Sequence, residues 1–214
     1  MFSIKNIVTF LLIINFSFSW NILKPENNAT LNQTHVLFEW EQKPNSAFYV
    51  LDVSENSSFN TCIVCQQYVD ESLIYIAKDG FEWDTQYWWK VTAYDNNNQY
   101  TEQEGTFNIG SSIANTTTNI YEDNIEEGLT IFGSFFDYYS AVIDQTGNEI
   151  WNSGNQNLIF YNTDKYGRFF GAEFIGNNAE NNYPGIKFSF ENGIEWQEPG
   201  NNFIHHDIFQ LPNG

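Results

Sequence analysis

The stretch "FEWDTQYWWKVTAYD", residues 81–95, holds the clearest strand pattern in the chain. From Tyr87 onward its core-type and surface-type side chains alternate, which is the period-two pattern of a strand with one buried face. Similar runs surround it: HVLFEW at 35–40, AFYVLDVS at 47–54, SLIYIA at 72–77 and GTFNIG at 105–110. Short alternating runs separated by turn residues predict a small antiparallel β-sandwich over residues 20–110.

The same stretch resembles the fibronectin type III family. In that family a large apolar residue is followed by a Thr four positions later and a Tyr six positions later, and Phe81, Thr85 and Tyr87 match this pattern. The resemblance implies that the tyrosine hydroxyl bonds to a nearby backbone group and closes the corner between two sheets. Trp40 matches the core tryptophan of an early strand. Trp83 replaces the proline usual in the family, which leaves the geometry of the turn open.

Composition and charge limit the function classes. The 214 residues include 20 Phe, 12 Tyr and 7 Trp, and aromatic residues together with many turn-forming residues favour strands. The formal net charge is −19, and Arg168 is the only arginine. A chain with so little basic surface is not expected to bind nucleic acid or anionic membranes.

The first 19 residues have the pattern of a secretion signal. Lys5 precedes an apolar run at 7–18, and Ser17 and Ser19 stand at the −3 and −1 positions of a cleavage site before Trp20. A membrane anchor is the alternative, but a spanning helix needs roughly 20 apolar residues. The mature chain is therefore predicted to have no membrane span and to be secreted, periplasmic or extracellular.

Cys62 and Cys65 are the only cysteines, and export places them where disulfides persist. The flanking residues predict a loop within a β-domain, with a short disulfide or two unpaired thiols. An oxidoreductase site would need a helix N-terminus after the motif, and zinc would need two further ligands nearby. His35, the lone histidine of the sandwich, is predicted to be a surface or partly buried residue without a ligand role.

Beyond the sandwich the pattern changes twice. Residues 111–127 are small, polar and acidic, and they are predicted to form a linker. Paired strands with a tight turn follow, and two of these hairpins end on a tryptophan: YSAVIDQTGNEIW at 139–151 and IKFSFENGIEWQ at 186–197.

The hairpins indicate a structural repeat. Trp151 and Trp196 are 45 positions apart, and Gly167 and Gly214, in a second pair of similar segments, are 47 apart. A period in the forties is typical of β-propeller blades. Residues 128–214 are therefore predicted to be an incomplete β-propeller of about two blades, with coincidence between glycine-rich hairpins as the alternative.

The terminal segment "HHDIFQLPNG", residues 205–214, holds two of the three histidines, His205 and His206. It is predicted to be the first strand of a further blade, the strand that lines the central channel where ligands bind. The residues one period earlier, 158–160, are apolar, so the histidine pair is not part of the repeat. A feature added to one blade is typical of a functional site, while exposed or turn-capping histidines are the structural alternative.

The second region resembles the start of the secreted arylsulfotransferase propeller, through GLTIFGSFFDYYSAVIDQTGNEIW at 128–151 and the terminal HHDIFQLPNG. The resemblance implies transfer of a sulfuryl group from a phenolic sulfate to a phenol through a sulfated histidine, without a cofactor. His205 and His206 become the catalytic candidates, and Asp207 a candidate orienting residue. Neighbouring side chains on a strand face opposite sides, so one histidine of the pair is expected to face the channel.

The family's other active-site histidines and its arginine lie on later blades, beyond Gly214, so this chain alone is predicted to be inactive. The sandwich is expected to serve as a positioning or oligomerisation module. A secreted binding or adhesion protein, whose propeller-like region recognises a glycan or a protein, is the alternative hypothesis. Further blades with His and Arg facing the channel would favour the enzyme, and blades without them the binder.

Overall fold

The structure, a computed structural model, describes residues 20–114, 128–134, 139–175, 183–199 and 208–211. All regular secondary structure in these ranges is β-strand, which confirms the predicted all-β class. The predicted signal segment, residues 1–19, lies outside the described residues.

The strands fall into two groups along the chain. The first region contains β1 (Ile22–Lys24), β2 (Ala29–Leu31), β3 (Val36–Trp40), β4 (Ser46–Ser54), β5 (Cys62–Val69), β6 (Ile74–Ala77), β7 (Gln86–Asp95) and β8 (Tyr100–Ile109). The described strands of the second region are β9 (Thr130–Ser134), β10 (Tyr139–Ile143), β11 (Glu149–Asn152), β12 (Leu158–Thr163), β13 (Phe169–Glu173), β14 (Gly185–Ser189) and β15 (Gly193–Gln197).

The first region is the predicted β-sandwich. One sheet has the strand order β1-β3-β6, and the other has the order β2-β8-β7-β4-β5. All neighbours are antiparallel except β2 and β8, which are parallel. β1 and β2 are consecutive in the chain but lie at the edges of different sheets, where β2 pairs with β8.

Aromatic rings fill the space between these two sheets. Phe38 on β3 packs edge to face against Trp89 on β7 and Phe107 on β8, with ring centroids 5.2 and 5.9 Å apart. All three rings and Trp40 are buried. They occupy alternate positions of their strands, so the period-two pattern correctly located the core. Burying one such side chain stabilises the fold by about 1.5–3 kcal/mol.

The corner between the sheets is closed by Tyr87, as the fibronectin type III resemblance implied. The backbone N–H of Glu82 donates a hydrogen bond to the Tyr87 hydroxyl at 2.8 Å. Phe81 packs edge to face on the Tyr87 ring at 5.0 Å, and the Thr85 hydroxyl donates to the Trp83 carbonyl at 3.1 Å. The turn therefore forms with a tryptophan in place of the usual proline.

Cys62 and Cys65 form a disulfide, but the predicted loop location was wrong, because both lie on strand β5. In a regular strand, residues three apart are separated by about 10 Å, whereas these Cα atoms are 5.3 Å apart. The strand accommodates the bond through bulges, since its pairing with β4 shifts between Leu51 and Val53 and again between Val53 and Ser54. A bulged outer strand also discourages pairing with other chains.

The second region forms two open antiparallel sheets. The first sheet has the order β11-β10-β9, and the second sheet has the order β12-β13-β14-β15. Both follow chain order, as strands of propeller blades do. The sheets stack face to face, and the core between them contains Val142, Trp151, Leu158, Ile186 and Phe188. Within the described ranges no barrel closes.

The two tryptophans of the repeat occupy matching places. Trp151 lies on β11 and Trp196 on β15, the last strand of each sheet. Their surroundings differ, because Trp151 is buried between the sheets whereas Trp196 is 48% exposed. Trp196 lies on the face of the second sheet that points away from the first sheet, and this face is called here the far face. Gly167 lies in a turn with a φ of 74°. Gly214 lies outside the described residues, so the second spacing stays a prediction.

Candidate functional site

The predicted catalytic candidates His205, His206 and Asp207 lie outside the described residues, and their roles stay predictions. The structure describes residues 208–211, directly after them, and these form no strand. A strand requires hydrogen bonds to the backbone of a neighbouring strand. This segment is instead held by a side chain, since Asn162 Nδ2 on β12 donates to the Ile208 carbonyl at 3.1 Å. The predicted strand character is therefore not found over 208–211.

This terminal segment helps to line a groove of about 410 Å³ on the far face of the second sheet. The other walls are Phe170 on β13, Lys187 on β14 and Trp196 on β15. Lys187 Nζ lies 3.2 Å from a carboxylate oxygen of Glu195, and both side chains are partly exposed. The groove thus combines an apolar aromatic lining with one ammonium group.

The far face is apolar beyond the groove as well. Ile159 and Ala172 are fully buried there, and Tyr183 is nearly so. A groove of this size and composition can hold a flat aromatic ligand, since binding pockets are mostly apolar with few polar groups. It can equally receive the apolar face of another sheet.

A second candidate surface is a row of four aromatic side chains across the outer face of the five-stranded sheet, called here the aromatic row: Tyr68 on β5, Phe48 on β4, Tyr94 on β7 and Tyr100 on β8. Neighbouring ring centroids lie 5.2, 4.8 and 5.8 Å apart, and the first two pairs are stacked. Stacked rings cover one another's faces, so the surface presents ring edges and hydroxyl groups. Tyr68 and Tyr100 at the two ends are 56% and 61% exposed.

Polar groups lie beside the aromatic row. A depression of about 400 Å³ there includes Asp52, Gln66 and the ion pair of Lys90 with Glu102, whose charged atoms are 3.4 Å apart. Aromatic side chains with a polar rim are typical of recognition surfaces. This row could not be predicted from the sequence, because ring neighbours depend on strand register. The available signal was the presence of aromatic residues at outward positions of consecutive strand patterns.

His35 lies in a cleft of about 500 Å³ between the sandwich and the first sheet of the second region. Burial, and then the Lys78 ammonium, lower the pKa of His35 below its usual value, while Asp79 and Asp144 oppose the shift. This agrees with the predicted partly buried residue. No group of three or more His, Cys, Asp or Glu suited to a metal ion occurs in the described ranges.

Two aspartates with lowered pKa values have structural roles. Asp144 and Asp164 open the β10–β11 and β12–β13 turns, and each carboxylate accepts the N–H groups two and four residues further on, at 2.8–3.1 Å. Burial alone would raise the pKa of both carboxyls, but these bonds and those from neighbouring side chains outweigh it. They stay ionised to hold the turns, so neither is suited to act as a general acid.

The comparisons with known proteins assign no family. No family model and no curated protein matches the chain. Among solved structures, an alpha-L-rhamnosidase of Streptomyces avermitilis complexed with L-rhamnose matches at 15% identity and a TM-score of 0.30, over 43% of this chain and 11% of that one. An alpha-L-rhamnosidase of Dictyoglumus thermophilum matches at 15% identity and a TM-score of 0.33, over 59% and 16%.

This chain therefore spans less than a fifth of the length of either rhamnosidase. Similarity at this level carries no argument about activity. The part of the chain that the structure describes also contains no helix of the length and apolarity needed to cross a membrane.

Proposed function

We propose that this chain is the N-terminal part of an exported arylsulfotransferase-like protein, and that one histidine of the terminal pair carries the sulfuryl group. The observation that carries the proposal is the pair itself, two of the three histidines of the chain, placed where the preceding repeat has only apolar residues. The family resemblance of the flanking segments adds to it.

The geometry around the terminal segment supports this proposal. Ile208, which follows Asp207 in the chain, is bonded to Asn162 on β12, the first strand of the second sheet. In a propeller the first strand of each blade borders the central channel. The apolar groove beside this segment also has the chemistry to hold an aromatic ring.

The proposed reaction has two steps. A neutral imidazole nitrogen forms a bond to sulfur as the bond between sulfur and the donor's phenolic oxygen breaks, and the phenolate leaves. The acceptor phenol then forms a new oxygen–sulfur bond as the nitrogen–sulfur bond breaks, and a base takes the phenol proton. Cationic and hydrogen-bonding groups are needed around the sulfonate oxygens, as in phosphoryl transfer.

The test uses a chromogenic aryl sulfate as donor and phenol as acceptor. We expect no transfer by residues 20–214 alone, and transfer by a version of the protein extended with further blades to a complete ring. Turnover by residues 20–214 at the rate of the extended version would contradict the role given to later blades.

A binding or adhesion function is the second candidate, and the aromatic row favours it. Tyr68 and Tyr100 are more than half exposed, and exposed tyrosines with a polar rim suit recognition of a glycan or a protein. An immobilised glycan panel probed with the mature chain should then show signals that the double variant Tyr68→Ser, Tyr100→Ser loses. Signals that persist in the variant would exclude the row as the binding surface.

A further inference from the structure

The outer edge of β11 is occupied by a loop of the sandwich. Gln33, between β2 and β3, forms an antiparallel bridge with Trp151 on β11. The Thr34 N–H donates to the Ile150 carbonyl at 2.8 Å, and the Asn152 N–H donates to the Asn32 carbonyl at 3.0 Å. Paired bonds of this kind are those of an antiparallel ladder, so residues 32–34 extend the three-stranded first sheet by a short fourth strand.

A buried carboxylate holds the next part of the chain to the same strand. Glu149 on β11 is only 7% exposed. Its carboxylate accepts the N–H of Ala114 at 2.6 Å, the N–H of Ile113 at 3.2 Å and the hydroxyl of Ser112 at 3.1 Å. The Asn152 side chain donates to it as well. A carboxylate this buried is stable only when bonded in this way, and donors from residues 112–114 supply three of its four bonds.

Further contacts join the sandwich to the second region. The Trp83 indole N–H donates to the Glu149 carbonyl at 3.2 Å, which gives a role to the residue that departs from the fibronectin type III pattern. Gln33 Nε2 donates to a Glu191 carboxylate oxygen at 2.8 Å. Lys24 also pairs with Glu191 at 3.6 Å, but both side chains are about one-third exposed, so this pair adds little.

We propose that the sandwich is docked on the second region in one fixed orientation. Residues 32–34 serve as an added edge strand, and the Glu149 carboxylate, called here the clasp, fixes residues 112–114 to β11. Addition of a strand to a free sheet edge is a common docking mode between chains, and here both partners belong to one chain. The dock covers the β11 edge, which would otherwise be open to pairing with other molecules. It also means that the predicted linker is held in place over its first residues, 111–114.

Amide hydrogen exchange on the whole mature chain tests this proposal. In the wild type, the amides of Thr34, Ala114 and Asn152 should exchange at least about tenfold more slowly than unprotected amides. The substitution Glu149→Ala removes the clasp and should speed exchange at all three by about tenfold or more. Glu104→Ala, at an exposed position of β8, is the matched control and should change none of them.

Amides at the centre of β4 and β7 separate loss of the dock from loss of the fold, and they should keep their exchange rates in Glu149→Ala. If they also speed up, Trp83→Phe provides the second variant, because it keeps an aromatic side chain at this position and removes the indole N–H donor. It should raise exchange at Thr34 and Asn152 alone. Unprotected Thr34 and Asn152 amides in the wild type, or protection unchanged in both variants, would overturn the proposal.

Discussion

Replacing Tyr87 by phenylalanine isolates the bond that closes the sandwich corner. The substitution keeps the fully buried ring and its contact with Phe81. It removes the hydroxyl that accepts the Glu82 N–H at 2.8 Å. The area of apolar surface buried in the core is almost unchanged, so any loss of stability comes from the hydrogen bond.

The expected loss in free energy of unfolding is about 1–2 kcal/mol. A neutral hydrogen bond contributes about 0.5–1.5 kcal/mol, and a buried donor left without a partner costs about 1–3 kcal/mol. The side chain of Glu82 is exposed, so water can reach part of this turn. The loss should therefore fall in the lower half of the range for an unpaired group.

Urea unfolding followed by tryptophan fluorescence measures this loss, because Trp89 lies in the same core. The transition midpoint should fall while its slope stays constant. Tyr100→Phe, at a residue that is 61% exposed, is the matched control and should stay within about 0.5 kcal/mol of wild type. Equal effects of the two substitutions would refute the role given to the tyrosine corner.

Three further predictions address other parts of the molecule. Gly133→Ala should lower the free energy of unfolding by about 1–3 kcal/mol in urea, because the added Cβ would lie 2.6 Å from a backbone nitrogen of β12 in the stacked sheet. Gly128→Ala is the control and should be neutral, because nothing lies within 4 Å of its added Cβ. Equal effects of the two substitutions would contradict the stacking of the sheets. Burial first, and then a nearby lysine, lower the pKa of His35 below 6.5. The neutral imidazole therefore contributes its full stability above about pH 6.5, and this contribution is lost as the pH falls through the folded-state pKa. His35→Gln should reduce the drop in melting temperature between about pH 7.5 and 5.5, and an unchanged drop would count against the lowered pKa. Replacing both Cys62 and Cys65 by serine should lower the free energy of unfolding by at most about 2 kcal/mol, since the loop that the disulfide closes is very short; a loss above about 4 kcal/mol in thermal melts would show a larger role.

The sandwich could be predicted from the sequence because its signals are local. Alternation within runs such as 35–40 and 87–95 depends only on which face of a strand is buried. The spacing of Phe81, Thr85 and Tyr87 likewise describes one turn and the strand after it. Neither inference requires knowledge of which strands are neighbours.

Features that depend on distant partners could not be predicted in this way. The disulfide lies on a strand only because β4 pairs with β5 around a bulge. Residues 32–34 carry no strand period of their own and become an edge strand through contact with β11. Trp83 was visible as a departure from the family pattern, but its partner Glu149 is 66 residues away.

The candidate site shows the same division. The histidine pair could be singled out because histidine is rare in this chain and absent from the preceding repeat. The groove with Phe170, Lys187 and Trp196 could not, because it is formed by three strands and a terminal segment that meet only in the folded sheet.

Sulfuryl transfer by histidine variants tests the central proposal most directly. In a version extended to a complete ring, transfer from the aryl sulfate to phenol should fall by at least about a hundredfold when the channel-facing member of the pair becomes alanine, the usual scale for losing one acid–base or oxyanion partner. The substitutions His205→Ala and His206→Ala should therefore differ sharply in their effects. Full activity in both variants would contradict the catalytic role of the pair.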